Sequence, residues 1–368
     1  MAASPDRSLI PDDYVHVLAS EAPRPNACRA STPAGVAAWQ AAFRPRLRSL
    51  LGIDRIAARG PCDLLPEHAG TEDCGDHIRE EWTIQSEPGF RVPFFLLRPK
   101  DGDGEGAGPA AGQRPLVITP HGHGKAGKRT YAGLWADERE RRELEEGERD
   151  VAVQAVREGY VAIAPDVRAF ADLRLRQDRE RDATSSCRTL QMHALLFGRT
   201  LVGERVWDVS RLIDYAGTRP EIDASRIVVT GNSGGGTVSL FAAACDLRIG
   251  IAVPSSYFCT FEASIGSIHH CECNYVPGLL AEAEMYDVAG LIAPRPFLAV
   301  AGRHDPIFPY PAVQEAFAHL QGIYAAAGVP EHCRLHTGEG GHRYYRAGVW
   351  PSVRQWLGEG AASAGAGA

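Results

Sequence analysis

The chain has 368 residues, with 39 Lys and Arg against 46 Asp and Glu, and a formal net charge of −7. This length can bury a large core in one big domain or two. The acidic balance argues against nucleic acid or an anionic membrane surface as the main partner. No segment approaches the roughly 18 apolar residues needed to span a bilayer, and no signal peptide is visible. Nine scattered cysteines are typical of a reducing compartment, so we expect a cytoplasmic protein.

The first 75 residues contain Pro-rich stretches and one predicted helix, over residues 33–51. No chemistry-bearing motif lies there. We interpret residues 1–75 as an N-terminal extension that packs on a catalytic domain or on a partner subunit, and the second alternative would make the protein a homodimer. Residues 81–86 and 91–98 flank a turn signal and predict a β-hairpin. Residues 101–113, rich in Gly and Asp, predict a flexible surface loop.

Predicted strands and helices alternate from residue 115 onward. The strands are predicted over 115–119, 160–165, 226–230, 249–253, 297–301 and 333–336, and the helices over 137–159, 188–217, 237–244 and 312–327. Apolar strands that alternate with helices are typical of a mostly parallel sheet with helices on both faces. We therefore predict an α/β catalytic domain over 76–357, with cap-like insertions near 168–190 and 255–290, and a disordered tail over 358–368.

A G-x-S-x-G pentapeptide, Gly231-Asn-Ser-Gly-Gly235, lies between the predicted strand over 226–230 and a predicted helix. A strand-to-helix turn of this kind is too tight for side chains two residues before and after the serine. It exposes the serine beside free backbone N–H groups, as a nucleophile requires. The alternative is a Gly-rich loop or a phosphate cradle, but no Lys follows as it does in a P-loop. Ser233 is therefore the candidate nucleophile.

Two further strand ends offer the groups that activate a serine. Ligands of such sheets bind beyond the carboxyl ends of the strands, where Asp305 and His342 follow the strands over 297–301 and 333–336. His342 would be the base and Asp305 the carboxylate that orients it, and the order Ser, Asp, His is that of α/β-hydrolases. As alternatives, Asp305 could form only an Asx-turn, and His304 or His336 could be the base. However, His304 adjoins the acid and would point away from it, and His336 is predicted inside a strand.

The strand over 115–119 leads into His121-Gly-His-Gly124. An oxyanion hole needs two backbone N–H groups, and we assign them to Gly234, directly after the serine, and to His123. The side chain of His121 could brace this loop or face the substrate pocket. A metal interpretation of the His-x-His pair is weaker, because no nearby carboxylate or cysteine completes a ligand set.

The insertion after the strand over 249–253 begins with Ser255-Ser-Tyr-Phe258, and we predict that Tyr257 and Phe258 line the acyl pocket. Farther along, His269-His-Cys-Glu-Cys273 could bind zinc. Adjacent positions do not easily converge on one tetrahedral ion, and no second cluster is evident, so a lid or pocket wall is favoured. The Arg- and Asp-rich stretch 168–182 is interpreted as a mobile cap or a solvated loop, and Asp166 as structural.

Taken together, these stretches resemble the α/β-hydrolase superfamily, specifically its dienelactone-hydrolase and acetyl-xylan-esterase-like branch. The resemblance covers roughly residues 78–357 and is carried by the runs that begin at Pro120, Val229, Asp287, Gly302 and Gly338. It implies that Ser233, Asp305 and His342 are the nucleophile, the acid and the base. Dienelactone hydrolases proper use a cysteine nucleophile, whereas this chain has a serine.

The resulting expectation is a serine carboxylester hydrolase that acts through an acyl-enzyme on a small-molecule ester with a short, acetyl-like acyl group. Neither a metal nor an organic cofactor is expected. The same triad could instead cleave an amide, a thioester, a lactone or a carbon–carbon bond. A scaffold that has kept the fold without catalysis is a third alternative, although all the groups needed for catalysis are present.

Overall fold

The computed structural model describes residues 14–100 and 112–358. The predicted tail over 358–368 lies outside the described residues except for Gly358, as do most of the predicted loop over 101–113 and the first 13 residues. Within residues 14–100 and 112–358, no helix combines the length and the apolar character that crossing a membrane requires.

The described strands form one nine-stranded sheet in the order β1-β2-β3-β5-β4-β6-β7-β8-β9. Their bounds are β1 Glu67–Asp73, β2 His77–Glu87, β3 Phe90–Pro99, β4 Arg114–Ile118, β5 Val161–Pro165, β6 Ile222–Asn232, β7 Ile251–Ser255, β8 Phe297–Gly302 and β9 Cys333–Gly338. The six strands from β5 to β9 in this order run parallel. Strands β1, β2 and β3 add an antiparallel edge, so the predicted hairpin is confirmed.

Helices flank this sheet. Their bounds are α1 Tyr14–Glu21, α2 Pro33–Leu51, α3 Ile53–Ala57, α4 Lys128–Tyr131, α5 Glu138–Glu146, α6 Val151–Arg157, α7 Arg176–Glu180, α8 Cys187–Leu196, α9 Leu201–Ala216, α10 Gly234–Cys245, α11 Leu279–Glu282, α12 Met285–Gly290, α13 Tyr310–Ala326 and α14 Arg346–Trp356. Short 3-10 turns lie at Ala171–Leu173, Glu272–Asn274 and Pro330–His332. The α/β fold with a mostly parallel sheet is confirmed.

Side chains of successive strand residues lie on opposite faces of the sheet and are buried on both. In β4, Leu116 and Ile118 belong to one hydrophobic cluster, and Val117 between them belongs to the other. All three are fully buried. This alternation follows from the two-residue period of a strand, and it requires apolar cover on both sides.

Two predicted helices are each broken into two. The helix predicted over 137–159 ends as α5 at Gly147, and Glu148 adopts a positive φ of 50° before α6 begins. The stretch over 188–217 breaks at Gly198, whose φ is 65°. Thr200 then caps α9 by accepting the Gly203 N–H at 3.0 Å. Gly198 enters left-handed backbone without steric cost, whereas at the first break Gly147 keeps a φ of −85° and Glu148 adopts the positive φ.

The N-terminal segment packs closely on the catalytic core. The α2 helix has the predicted bounds because Thr32 caps its start and Gly52, at a φ of 77°, ends it. Phe43 and Leu47 of this helix are fully buried in the same hydrophobic cluster as the sheet. Strand β1, which was not predicted, places one edge of the sheet within the segment assigned to the extension.

The start of the segment over 168–190 is anchored rather than solvated. The Arg168 side chain is 6% exposed and forms ion pairs with Glu87 at 2.8 Å and Asp208 at 2.7 Å. It also lies 3.9 Å from the centre of the Phe90 ring. The interpretation of this stretch as a mobile cap or solvated loop is therefore wrong at Arg168, because its charge is paired within the protein.

Candidate active site

Ser233 lies at the turn between β6 and α10. Its φ of 57° and ψ of −117° are a conformation that a residue with a side chain rarely adopts. The strain is held in place by the Ser233 N–H, which donates to the Ser255 carbonyl at 2.8 Å. The preceding Asn232 N–H donates to the hydroxyl of Tyr131 at 2.9 Å. These bonds fix the serine at the carboxyl edge of the sheet.

The two glycines of the pentapeptide are required by the carbonyl of Pro120. A Cβ atom at Gly231 would lie 2.2 Å from the Pro120 oxygen, and one at Gly235 would lie 2.1 Å from the same atom. Both distances are far below van der Waals contact. The structure thus gives the steric reason for the glycines on either side of Ser233.

Asp305 and His342 meet beyond the ends of β8 and β9. Nδ1 of His342 donates to Oδ2 of Asp305 at 2.8 Å. The other oxygen, Oδ1, accepts the backbone N–H groups of Ile307 at 2.8 Å and Phe308 at 3.1 Å. Asp305 therefore forms an Asx-turn and orients the imidazole at the same time. With Nδ1 engaged, Nε2 of His342 is left to accept a proton.

The two other candidate bases lie elsewhere. His304 is exposed. His336 lies within β9, as expected, and burial lowers the pKa of its imidazole. Its ring also packs so closely on Gly348 that a Cβ there would lie 2.1 Å from it. Among these three histidines, only His342 bonds to Asp305 in the structure.

Ser233 and His342 line one cavity of about 390 Å³. The structure records no hydrogen bond between their side chains, and such bonds often tighten only when substrate is bound. The other lining residues come from the loop after β4, from α4, from the link between α5 and α6, from the end of β6, from the insertion after β7 and from the loop after β8. They are His121, Gly122, His123, Gly124, Gly127, Thr130, Tyr131, Arg149, Asn232, Ile268, His269, His270, Cys271 and Ile307.

The loop after β4 presses against the serine turn. A Cβ at Gly122 would lie 2.7 Å from the Asn232 carbonyl, and one at Gly234 would lie 3.0 Å from the His123 ring. The backbone N–H groups of Gly234 and His123 have no protein acceptor among the hydrogen bonds of residues 14–100 and 112–358. Both predicted oxyanion donors therefore lack an acceptor among the described residues, and their role in binding an oxyanion stays a prediction.

His121 braces this loop. It is 2% exposed, its Nδ1 donates to the Gly122 carbonyl at 2.7 Å, and its Nε2 accepts the Val167 N–H at 3.0 Å. Burial lowers the pKa of His121 to about 3. The ring is thus neutral with both nitrogens occupied, so it offers no free polar atom to a substrate, although it contributes to the cavity wall.

Tyr257 and Phe258, predicted to line the acyl pocket, are not among the cavity residues. Both are at most 2% exposed. The Tyr257 ring lies 5.4 Å from that of Phe308, and the Phe258 ring lies 5.4 Å from that of Phe297. Both side chains pack into the hydrophobic core instead.

Asp166 pairs with a buried lysine. It accepts the Lys128 backbone N–H at 2.9 Å and the Lys128 ammonium at 3.0 Å. Burial raises the pKa of Asp166 to about 6. Asp166 is absent from the cavity wall, which agrees with the structural role expected for it.

His270 and Arg149 are cavity residues that sequence reasoning did not single out as substrate contacts. Nδ1 of His270 accepts a hydrogen bond from the Asn274 amide at 2.9 Å, and burial lowers the pKa of this histidine to about 4. Its Nε2 therefore carries a hydrogen, and that buried atom has no partner among the described residues. Arg149 adds a cation to the wall. Arg149 belongs to no motif, so only the fold reveals it, whereas His270 lies in the run over 269–273 that was predicted to be a lid or pocket wall.

One group of described residues could hold a metal ion. His123, Cys271 and Cys273 place their ligand atoms within 4.8 Å of one another. The sequence reasoning judged that neither the His-x-His pair nor the run over 269–273 had partners. That judgement is wrong, because each supplies the other's missing ligands across the fold.

Comparison with known proteins finds similar esterases and hydrolases. The family model for acetyl xylan esterase (AXE1) matches residues 145–275. A provisionally named hydrolase of Bacillus subtilis (strain 168), YtaP, is 26% identical over 279 residues, which are 74% of this chain and 84% of that protein.

Two solved structures share the fold. A protein of Bacteroides fragilis NCTC 9343, provisionally described as an acetyl xylan esterase, superposes with a TM-score of 0.74 at 17% identity, covering 95% of this chain and 86% of its own. A glucuronoyl esterase from Solibacter usitatus superposes with a TM-score of 0.63 at 15% identity, covering 92% of this chain and 97% of its own. The chain therefore has the α/β-hydrolase fold and is similar to carboxylic ester hydrolases of the acetyl xylan esterase family.

Proposed function

We propose that this carboxylic ester hydrolase is a serine esterase that acts through Ser233, His342 and Asp305 and prefers short acyl groups. The observation that carries the proposal is that Ser233 and the hydrogen-bonded pair of His342 and Asp305 meet at one cavity. A strained serine at the end of β6 faces the same space as an imidazole whose Nδ1 is held by a buried carboxylate. Three separate strand ends supply these groups, and no other role for the Ser233 strain is apparent in the fold.

The geometry supports a two-step reaction. His342 Nε2 takes the proton of the Ser233 hydroxyl as its oxygen attacks the ester carbonyl. The N–H groups of Gly234 and His123 hold the developing oxyanion. The tetrahedral species collapses to an acyl-enzyme, and His342 gives its proton to the departing alcohol. A water molecule then repeats the attack, with His342 again as the base, and releases the acid.

The cavity favours a small acyl group and a polar alcohol. A volume of about 390 Å³ is near the lower end for ligand pockets. Only Ile268 and Ile307 bring aliphatic side chains to its wall, so a long acyl chain would meet few aliphatic partners there. The free Nε2–H of His270 and the guanidinium of Arg149 suit hydroxyl or carbonyl oxygens. An acetylated xylan-type sugar, as in the names of the similar proteins, is therefore the first substrate to test.

The nucleophile is tested by Ser233→Ala, with Ser352→Ala as the matched control. Ser352 bonds only to its own helix, α14, at the Gly348 carbonyl. Ser233→Ala should lower kcat on p-nitrophenyl acetate by at least about 10⁴-fold and abolish labelling by a fluorophosphonate probe, because no acyl-enzyme can form. Ser352→Ala should match the wild type. Near-wild-type turnover by folded Ser233→Ala would refute the assignment.

The base is tested by comparing His342→Ala with His304→Ala. His342→Ala should cost about as much as Ser233→Ala, and the double variant should be no worse than either single variant, because the two side chains act as a unit. Exposed His304 should be dispensable. Additive losses, or a large effect at His304, would show that another group takes the proton.

The scissile bond and the acyl length are tested with one panel. Acetyl, butyryl and octanoyl esters of one alcohol should show kcat/KM falling with length, and acetylated xylo-oligosaccharides should be deacetylated. Matched amides, thioesters and lactones test the same triad on other bonds. Faster cleavage of any of these than of the acetyl ester would overturn the proposed specificity. Failure of the fluorophosphonate to label the protein would instead favour a non-catalytic scaffold.

A further inference from the structure

Four side chains from three parts of the chain meet beside the cavity and form a group that we call the thiol–imidazole cluster. Its members are His123 in the loop after β4, Cys187 at the start of α8, and Cys271 and Cys273 in the insertion after β7. Sγ of Cys273 lies 3.5 Å from Nε2 of His123 and 3.2 Å from Sγ of Cys271. Cys187 starts α8, which packs against the turn at Glu272–Asn274, and its Sγ accepts a hydrogen bond from Arg205 at 3.5 Å.

These distances fit a tetrahedral metal ion. With Zn–S bonds of about 2.3 Å and Zn–N bonds of about 2.0–2.1 Å, tetrahedral angles separate a sulfur from a nitrogen by about 3.6 Å and two sulfurs by about 3.8 Å. The observed sulfur–nitrogen distance of 3.5 Å nearly equals the first value. The two sulfurs, at 3.2 Å, are about 0.6 Å closer than the second value, so a bound ion would require them to move apart.

The ligand chemistry also fits. The ligand atoms of His123, Cys271 and Cys273 lie within 4.8 Å of one another, and Cys187, which lies outside this group, is the candidate for the fourth position. Three cysteines and one histidine are an established structural zinc set. Three thiolates and one divalent cation carry a net charge of −1. Buried Arg205, whose guanidinium donates to Cys187 Sγ at 3.5 Å, lies in place to balance that charge.

A disulfide explains the cluster less well. Cys271 and Cys273 are separated by one residue, so a bond between them would close a very small ring, and good disulfide geometry is specific. A disulfide also leaves unexplained why the His123 nitrogen and the Arg205 charge converge on the same sulfurs. A metal ion uses all of these groups at once.

We propose that the thiol–imidazole cluster binds one divalent zinc-type ion, which ties the loop after β4 to the insertion after β7. Binding would displace the three thiol protons to solvent. The ion would also hold His123 in place, and the backbone N–H of that residue is the proposed oxyanion donor. The metal-binding inference rests on the cluster alone. Only the consequence for the oxyanion donor, and so for the rate of ester hydrolysis, rests on the proposed esterase function.

The test compares Cys271→Ser with Cys62→Ser, since both cysteines are half-buried but Cys62 lies outside the cluster. The full-length protein is expressed in zinc-supplemented medium, purified under reducing conditions and dialysed, and its zinc is measured by mass spectrometry. We expect about one zinc per chain in the wild type and in Cys62→Ser, and a loss of at least about tenfold in Cys271→Ser, because removing a first ligand strongly weakens such sites.

A second measurement does not depend on how the variant folds. Adding Co²⁺ to the metal-stripped wild type should produce thiolate-to-cobalt charge-transfer absorption and the visible bands of tetrahedral Co²⁺. Zinc near zero in the wild type together with no such bands would overturn the proposal. An intact mass two hydrogens lower under non-reducing conditions, restored by reductant, would overturn it in favour of a disulfide. Because none of these readouts measures ester hydrolysis, they are independent of the proposed activity.

Discussion

The ion pairs of Arg168 allow a stability prediction from the structure. Its guanidinium donates two hydrogen bonds to Asp208, both at 2.7 Å, and pairs with Glu87 at 2.8 Å. The Glu87 and Asp208 side chains are only 2% and 7% exposed. Replacing Arg168 by Met keeps much of its apolar stem but leaves these carboxylates without their partner. Breaking a buried pair in this way costs about 3–5 kcal/mol.

We expect the lower end of that range, about 3 kcal/mol, since both acids keep some support. Arg199 still pairs with Glu87 at 2.5 Å, and the Ser86 hydroxyl still donates to Asp208. Such a loss is a large part of the roughly 5–15 kcal/mol that stabilises an ordinary protein. The free energy of unfolding of Arg168→Met and of the wild type would be measured by urea titration with tryptophan fluorescence.

The control is Arg303→Met, whose side chain pairs with Glu339 at 3.0 Å on the surface. Solvent and salt screen such exposed pairs, so no measurable loss is expected there. A second check is pH. Burial alone would raise the pKa of Glu87, but the hydrogen bond from Arg199 and the charge of Arg168 hold it below its usual value. Stability from a lowered carboxyl pKa is present at neutral pH and lost as pH falls through it, so the cost of Arg168→Met should shrink in acid. A loss under about 1 kcal/mol at pH 7 would refute the reasoning.

Two other substitutions test the site and its surroundings. Gly235→Ala should unfold the serine turn and abolish esterase activity, since its Cβ would lie 2.1 Å from the Pro120 oxygen. The control is Gly322→Ala, at an exposed position of α13 with nothing within 4 Å, which should stabilise the protein by up to about 1 kcal/mol. An active Gly235→Ala would contradict the steric argument. Burial raises the pKa of Glu284 to about 7 from its ordinary 4.5, so wild-type stability should fall as pH rises through that interval. Glu284→Gln can still accept the two backbone N–H groups that the carboxylate accepts, and should therefore be more stable than the wild type above pH 7 by about 3 kcal/mol and equal to it near pH 4, as measured by urea titration; equal stabilities at both values would refute the raised pKa.

The positions of Ser233, Asp305 and His342 could be predicted because strand ends are easy to locate in a sequence. Parallel strands bring their carboxyl ends to one edge, so residues directly after three apolar runs must be close together. The direction of Tyr257 and Phe258 could not be predicted. They also follow a strand, but whether a loop residue faces a cavity or the core depends on what packs against it. Here the Tyr257 ring packs on Phe308 and the Phe258 ring packs on Phe297.

Helix continuity was predicted less well for a related reason. The apolar and charged pattern over 137–159 fits one helix, yet the helix ends at Gly147 and Glu148 adopts a positive φ. Arg149, directly after this break, lines the cavity. A helix-period pattern shows which face of a helix is apolar, and a short break changes this pattern little. The break, and the position of Arg149 beside the cavity, could therefore be seen only in the structure.

The thiol–imidazole cluster was also missed in the sequence, because its members are far apart along the chain. It suggests why His123 would serve both as an oxyanion donor, through its backbone N–H, and as a metal ligand, through its ring. Judged by neighbours in sequence, His121-Gly-His123 lacks a cysteine and the run over 269–273 lacks a distant partner, so each was set aside. The fold joins them because the loop after β4 must touch the serine turn, and the insertion after β7 crosses the same edge of the sheet. A backbone donor at an oxyanion hole gains from being rigid before substrate arrives. Tying the ring of that residue to two cysteines of another element would provide such rigidity, so a metal at this position would act on catalysis without touching the ester.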